Sequence, residues 1–287
     1  MQFSDKKAVI TGGASGIGAG ICRALVARGA HVVIADWDDE RAGRLAEELG
    51  ERAQSIPCDV RDAAAVEVLA EQAWRTLDGV DLVFANAGVG LAAPILHSTL
   101  EEFEATIGVN LRGVWATSKA FASRMVAQGR KGHICLTGSE HSLGLQHAGN
   151  GIYTASKHAV LGFGDVLRAE LEGQVGVSVL CPGLVATGIS QSHKRFDVRT
   201  PSELSQAVAG AVMAKGLSPD IVAEETLAAI AKGDFLIVTH PTARGAAERR
   251  WEAIDEAFAT QPPQDGSRDH YDVDDVVAEV LAEFKGG

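Results

Sequence analysis

The sequence predicts a doubly wound α/β domain built on one mostly parallel sheet of about seven strands. Three observations carry that expectation. Short β-branched runs alternate with longer amphipathic stretches between residues 7 and 240, and the first run ends in a glycine-rich turn that opens a helix. With 46% hydrophobic and 22% charged residues, the 287-residue chain also has an ordinary globular composition. Strands buried on both faces of a parallel sheet read as continuous apolar runs, and helices must cover each face.

KAVIT (7–11) is the first strand, followed by a helical stretch from Gly16 to about Arg28. HVVIA (31–35) leads into a charged helix from Asp38 to Leu49. AQSIP precedes a helix over 62–77, and DLVFA (81–85) precedes a long helical region around 99–128. HICLT (133–137), a helix beginning near Asn150, and VSVLC (177–181) continue the alternation. Helix 219–232 and FLIVT (235–239) close it. Two segments break the rhythm: 186–218, and the tail after His240. The expected organisation is one domain over 1–240, with 241–287 a helical extension rather than a separate domain. Within that tail, RRWEAIDEAF and VDDVVAEVLAEF read as amphipathic helices suited to packing on a subunit.

The 26 basic and 38 acidic residues leave a net charge of −12, which argues against nucleic acid or an anionic membrane as a partner. Residues 265–287 concentrate the acidity, with seven acidic and two basic side chains. Cys22, Cys58, Cys135 and Cys181 stand in apolar segments without metal-ligand spacing. Buried thiols in a reducing compartment are expected, and no metal site. MQFSDKK enters a strand directly, and no apolar run nears membrane-spanning length. The expected location is cytoplasmic.

The turn after the first strand is TGGASGIG (11–18), in which Gly12, Gly16 and Gly18 form G-x-x-x-G-x-G. Glycines there permit a tight turn and let a pyrophosphate approach the backbone at a helix N-terminus, where unpaired N–H groups favour anions. Without a ligand the same stretch is a glycine-rich connection. Its place between strand and helix, as in Rossmann-like folds, favours the dinucleotide. Asp36 ends the second strand 18 positions after Gly18, close to the spacing of the acid that binds adenosine ribose hydroxyls. A carboxylate there repels a 2′-phosphate and favours NAD over NADP. Asp36 could instead cap the next helix, but Asp38 can fill that role.

YTASK (153–157) holds one of only two tyrosines in the chain. On a helix, Tyr153 and Lys157 share a face, and a nearby ammonium favours the phenolate. Alone, such a pair is an ordinary helix surface. Together with the preceding motifs it reads as a tuned acid/base.

In these motifs and their order the chain resembles the short-chain dehydrogenase/reductase family, of the compact type, over about residues 5–240. TGGASGIG, including Ser15 and Ile17, is similar to the family's cofactor motif, and Asp59-Val60 stands where the family contacts adenine. Asn86-Ala87-Gly88 resembles the motif that steadies the sheet beside the cofactor. Pro182-Gly183 follows the sixth strand, with Val185 and Thr187 placed to meet the nicotinamide carboxamide. Asn110, Ser139, Tyr153 and Lys157 match the catalytic positions.

The resemblance implies that Tyr153 exchanges the proton of a substrate hydroxyl as hydride leaves or reaches carbon. Lys157 would lower the tyrosine's pKa and bind the nicotinamide ribose, while Ser139 would orient the substrate oxygen. Asn110 would hold a water linking the lysine to solvent; satisfying a helix kink is an equal and compatible reading. Glu140-His141-Ser142 departs from the small residues common after Ser139. His141, His147 and Asn150, in the loop before Tyr153, are candidate substrate contacts, although a loop histidine is otherwise simply solvated.

The dinucleotide-binding catalytic domain is therefore expected over 1–240, with a mobile substrate lid at about 186–218, because so long a connection at the carboxyl edge is no plain loop. Within it AVAGAVMA is a short apolar helix candidate that suits a bulky, largely non-polar substrate. SHKRFDVR is basic, and reads as a solvated face or as a site for an acidic group. The expected function is an NAD-dependent oxidoreductase acting on a secondary alcohol or ketone, as a homodimer or homotetramer. An NADPH-preferring carbonyl reductase, or a cofactor-binding scaffold without turnover, are the alternatives.

Overall fold

A computed structural model of the chain describes residues 2–263 and 265–286. Its strands are β1 (Lys7–Thr11), β2 (His31–Asp36), β3 (Ala53–Pro57), β4 (Leu82–Ala85), β5 (Gly132–Thr137), β6 (Val175–Cys181) and β7 (Leu236–Val238). They form one seven-stranded sheet in the order β3-β2-β1-β4-β5-β6-β7, every pairing parallel. The connecting helices are α1 (Gly16–Ala27), α2 (Asp39–Leu49), α3 (Ala63–Leu77), α4 (Leu100–Ile107), α5 (Gly113–Gln128), α6 (Gly151–Glu170), α7 (Glu203–Met213) and α8 (Pro219–Lys232).

Alternation along each strand sorts its side chains between two cores. Val9, Val33, Val83 and Leu136 face α3, α5 and α6, where they meet Leu69, Phe121 and Val160. Ala8, Ile10, Ile34 and Phe84 face α1, α2 and α8, against Ile21, Leu45 and Leu227. Ile10 aligns with Ile34 on one side and Phe84 on the other, and all three are buried. Truncating a fully buried phenylalanine such as Phe84 to alanine costs about 3–5 kcal/mol. Helix starts are set locally: the Asp38, Asp62 and Ser218 side chains accept N–H bonds from the first turns of α2, α3 and α8.

Strands β2 and β3 extend the sheet on one side of β1, and β4 begins the other side. That reversal opens a crevice at the carboxyl ends of β1 and β4. The Asn86 side chain ties its lips together, donating to the carbonyls of Thr11 (3.1 Å) and Gly12 (3.3 Å).

One region differs from the sequence expectation. The helical region 99–128 is not continuous, because a π-helical turn, Gly108–Arg112, separates α4 from α5 and carries Asn110. Segment 186–218 holds a 3-10 run (Gly188–Arg195) followed by α7, which contains most of the expected helix AVAGAVMA.

From Arg244 the described residues form a second compact unit with α9 (Arg244–Thr260) and α10 (Val273–Gly286). Trp251, Phe258 and Phe284 in that unit are exposed. Among the described residues no helix is long and apolar enough to cross a membrane.

Candidate active site

A cavity of about 550 Å³ lies at the carboxyl edge of the sheet. At its floor, Gly12 and Gly16 adopt left-handed backbone (φ +62° and +53°). A Cβ on Gly12 would lie 2.8 Å from the Cα of Ala87, and one on Gly16 would press on Thr187 at 3.0 Å. Ser15 precedes α1 without capping it through its side chain. The Ser15 side chain thus leaves the first N–H groups of α1 uncapped, and Ser15, Gly16 and Ile17 line the cavity where a helix N-terminus favours an anion. These features fit a dinucleotide pyrophosphate. Gly18 does not line the cavity. A Cβ there would lie 2.2 Å from the Gly12 carbonyl oxygen, so its place is to let α1 pack on the turn.

Asp36 is buried, with one carboxylate oxygen accepting the Ala14 N–H at 3.1 Å and the other the Asp38 N–H at 3.0 Å. Asp38, not Asp36, caps α2. Asp36 thus faces the cavity, as do Asp59 and Val60. Burial pushes the Asp59 carboxyl up, but hydrogen bonds from Arg61 outweigh it and leave the group below its ordinary range. Asn86, Ala87 and Gly88 line the middle of the cavity, and Pro182, Gly183, Val185 and Thr187 line the side beyond β6.

Ser139 leaves the end of β5, while Tyr153 and Lys157 occupy the first turns of α6; all three reach the cavity. Lys157 is buried and donates to the Thr137 carbonyl at 2.8 Å. Burial pushes its ammonium down to about 8. Burial raises the Tyr153 phenol above its ordinary value, a hydrogen bond with Ser139 opposes the rise, and the Glu140 charge adds to it. This corrects the expectation that Lys157 lowers the tyrosine. The ammonium lies 5.8 Å from the ring centroid and spends a donor on Thr137, so burial and Glu140 dominate.

Asn110 stands behind the cavity wall rather than on it. Its Oδ1 accepts the Val89 N–H at 2.8 Å, and its Nδ2 donates to the Val89 carbonyl and the Ser156 hydroxyl. The Ser156 hydroxyl in turn donates to the Tyr153 carbonyl at 2.7 Å. Asn110 therefore joins the kinked helix to the segment after β4 and to α6.

His141, His147 and Asn150 all line the cavity. His147 is exposed, whereas His141 is buried, against the solvated reading of a loop histidine. Its Nδ1 shares a 2.8 Å hydrogen bond with the Thr154 hydroxyl, and its ring meets the Tyr153 ring edge-on at 5.2 Å. Burial pushes His141 down to about 4, so it is neutral at physiological pH. Ala209, Val212 and Met213 of α7 supply an apolar wall.

Sequence reasoning missed His240. Its Nδ1 accepts the Gly183 N–H at 3.0 Å, which leaves Nε2–H to donate to the Leu184 carbonyl at 2.9 Å. A Cβ on Gly183 would lie 2.6 Å from the His240 ring. The histidine pins the loop after β6, and only the strand-end pairing of β6 with β7 brings it there. Trp37, Arg61 and Phe196 at the Asp36 end were also missed, because their partners lie far apart in sequence.

Residues 6–198 match the short chain dehydrogenase family. "Probable oxidoreductase EphD" of Mycobacterium tuberculosis is 34% identical over 239 residues, covering 80% of this chain but 40% of that protein, so the match spans less than half of that relative. "Momilactone A synthase" of Oryza sativa subsp. japonica is 39% identical over 201 residues, covering 68% of this chain and 72% of that protein. A short chain dehydrogenase/reductase from Burkholderia phymatum, solved in complex with NAD, is 32% identical with a TM-score of 0.85, covering 92% of this chain and 98% of that one.

Proposed function

Because the chain belongs to the short-chain dehydrogenase family, we propose that this oxidoreductase moves a hydride between NAD and a bulky, largely non-polar secondary alcohol or its ketone. The observation that carries the reading is the convergence of Ser139, Tyr153 and Lys157 on the cavity whose other end holds the glycine turn and Asp36. A bound nicotinamide supplies or accepts the hydride. The rest is work for the chain's own groups. The Tyr153 phenol protonates the ketone oxygen in reduction and takes the proton back in oxidation. The Ser139 hydroxyl donates to that oxygen as charge develops on it. Lys157 presents a second donor beside Tyr153, and Asp36 accepts from ribose hydroxyls.

The apolar wall of α7 supports a large hydrophobic substrate, and the neutral His141 supports an uncharged polar group near the reacting carbon. A homodimer or homotetramer and a cytoplasmic location belong to the same proposal. A panel of secondary alcohols, followed by NADH absorbance, tests it. Aryl or polycyclic alcohols should exceed 2-propanol in kcat/KM, and absence of NADH formation with every alcohol would remove the reading.

Arg41, on the same cavity wall as Asp36, favours one second reading, in which a 2′-phosphate is accepted and NADP is used. Initial rates with the two cofactors separate the readings. A binding scaffold without turnover has no use for a fully buried lysine held near pKa 8.

A further inference from the structure

Trp37 follows Asp36 at the end of β2, while Phe196 ends the 3-10 run after β6. In the sheet order, four strand spacings, roughly 19 Å, separate β6 from β2. The chain nevertheless brings the two rings together, stacked with centroids 5.6 Å apart and planes 21° apart. The Arg61 guanidinium lies 5.1 Å from the Phe196 ring centroid and 5.9 Å from that of Trp37. Asp59 holds it there through bonds of 2.6 and 3.0 Å.

On its way across the groove the segment rests on the turns that follow β1 and β4. Thr187 packs beside Gly16, and the Ser192 hydroxyl accepts the Gly90 N–H at 3.1 Å. Past Phe196, Arg199 pairs with the buried carboxylate of Glu102 at 3.3 Å. Phe196 is half-buried against the edge of the core, whereas Trp37 is 39% exposed, and both rings line the cavity beside Asp59 and Val60.

We propose that Trp37 and Phe196 form an aromatic clasp over the adenine end of the groove, so that segment 186–218 retains the cofactor as well as covering the substrate. The inference rests on the dinucleotide reading above. An adenine is a flat π-surface that stacks on aromatic side chains, and guanidinium groups flanking it add cation–π attraction. The clasp must part before a dinucleotide leaves, whereas a mononucleotide lacking adenosine never meets it.

The test is the dissociation rate of NADH from the full chain, measured by stopped-flow displacement with fluorescence detection. Phe196→Ala should raise that rate about tenfold, equivalent to ~1.4 kcal/mol, while Phe196→Tyr, which keeps the stack, should stay within about twofold. Trp37→Leu, on the other side of the stack, should repeat the increase. The equilibrium affinity for reduced nicotinamide mononucleotide, which has no adenine, should be unchanged by Phe196→Ala. Hydrogen exchange in 186–199 should slow on adding NADH alone. Equal NADH release by the parent and both stack variants overturns the clasp, as does a loss of mononucleotide affinity as large as that for NADH. Failure of the unaltered chain to bind NADH would overturn the cofactor reading and the clasp with it, an outcome distinct from binding with unchanged rates.

Discussion

At the catalytic end of the groove, Lys157 is fixed by the Thr137 carbonyl, Asn110 by the Val89 backbone, and Ser142 by the Lys157 carbonyl at 2.6 Å. At the adenosine end the corresponding contacts are an aromatic stack, the partly exposed Arg61–Asp59 pair and the Arg199–Glu102 pair. The first set consists of buried polar groups bonded to backbone, which are expensive to separate. The second consists of side-chain contacts in which at least one partner, Trp37, Arg61 or Arg199, stays open to water, so each is cheaper to separate. The difference separates two tasks: reacting groups must not move, whereas whatever retains a ligand must be able to let go.

The largest effect is expected at the rigid end. Tyr153→Phe removes one oxygen, so turnover should fall about 10²- to 10⁴-fold while NADH affinity, read by fluorescence, stays within a few-fold. Near-normal turnover would show that the phenol is not the proton donor.

Next comes the strain of the buried lysine. Lys157 titrates near 8 when folded and near 10.5 when free, so from pH 10.5 down to 8 the unfolded chain holds the extra proton. Stability of the parent relative to Lys157→Met should therefore rise with pH across that window, by about 3 kcal/mol. Urea melts at pH 7.5 and 10.5 measure it, and a pH-independent difference would mean the ammonium is not strained.

At the adenosine end, Asp36→Asn keeps an acceptor for the Ala14 N–H but loses the charge. The ratio of NADP to NAD efficiency should rise about tenfold or more, and an unchanged ratio would place cofactor choice elsewhere, with Arg41 the first residue to examine. The smallest effect is expected from Glu140→Gln. The Glu140 carboxylate raises the Tyr153 phenol, so removing its charge should move the acid limb of alcohol oxidation to lower pH with little change in plateau turnover. A limb that stayed put would detach Glu140 from the tyrosine.

Much of this site was legible because its signals are local. The glycine turn, Asp36 and the Tyr153–Lys157 step lie within short windows whose chemistry follows from spacing on one turn or one helix face. The strands could be read because burial on both faces leaves continuous apolar runs. At Gly108–Arg112 the sequence offered only Asn110 as a polar residue suited to a helix kink; the π-helical turn there and its hydrogen bond to Val89, 21 residues away, depend on tertiary packing. Burial of His141 was equally hidden, because a loop histidine is solvated unless a neighbouring helix, here α6 through Thr154, closes over it.

By itself the sequence determined what depends on backbone preference and hydrophobic period: a seven-stranded α/β sheet, a helix N-terminus open to an anion, and a tyrosine and lysine on one helix face. Only the tertiary structure decided the groups' electrostatics and their long-range partners. The sign of the Tyr153 shift comes from burial and Glu140, the loop after β6 is held by His240 from the last strand, and Phe196 reaches Trp37 across the sheet edge. These depend on which surfaces lose water and which distant segments meet, quantities that the packing of the whole sheet sets and that spacing along the chain does not encode.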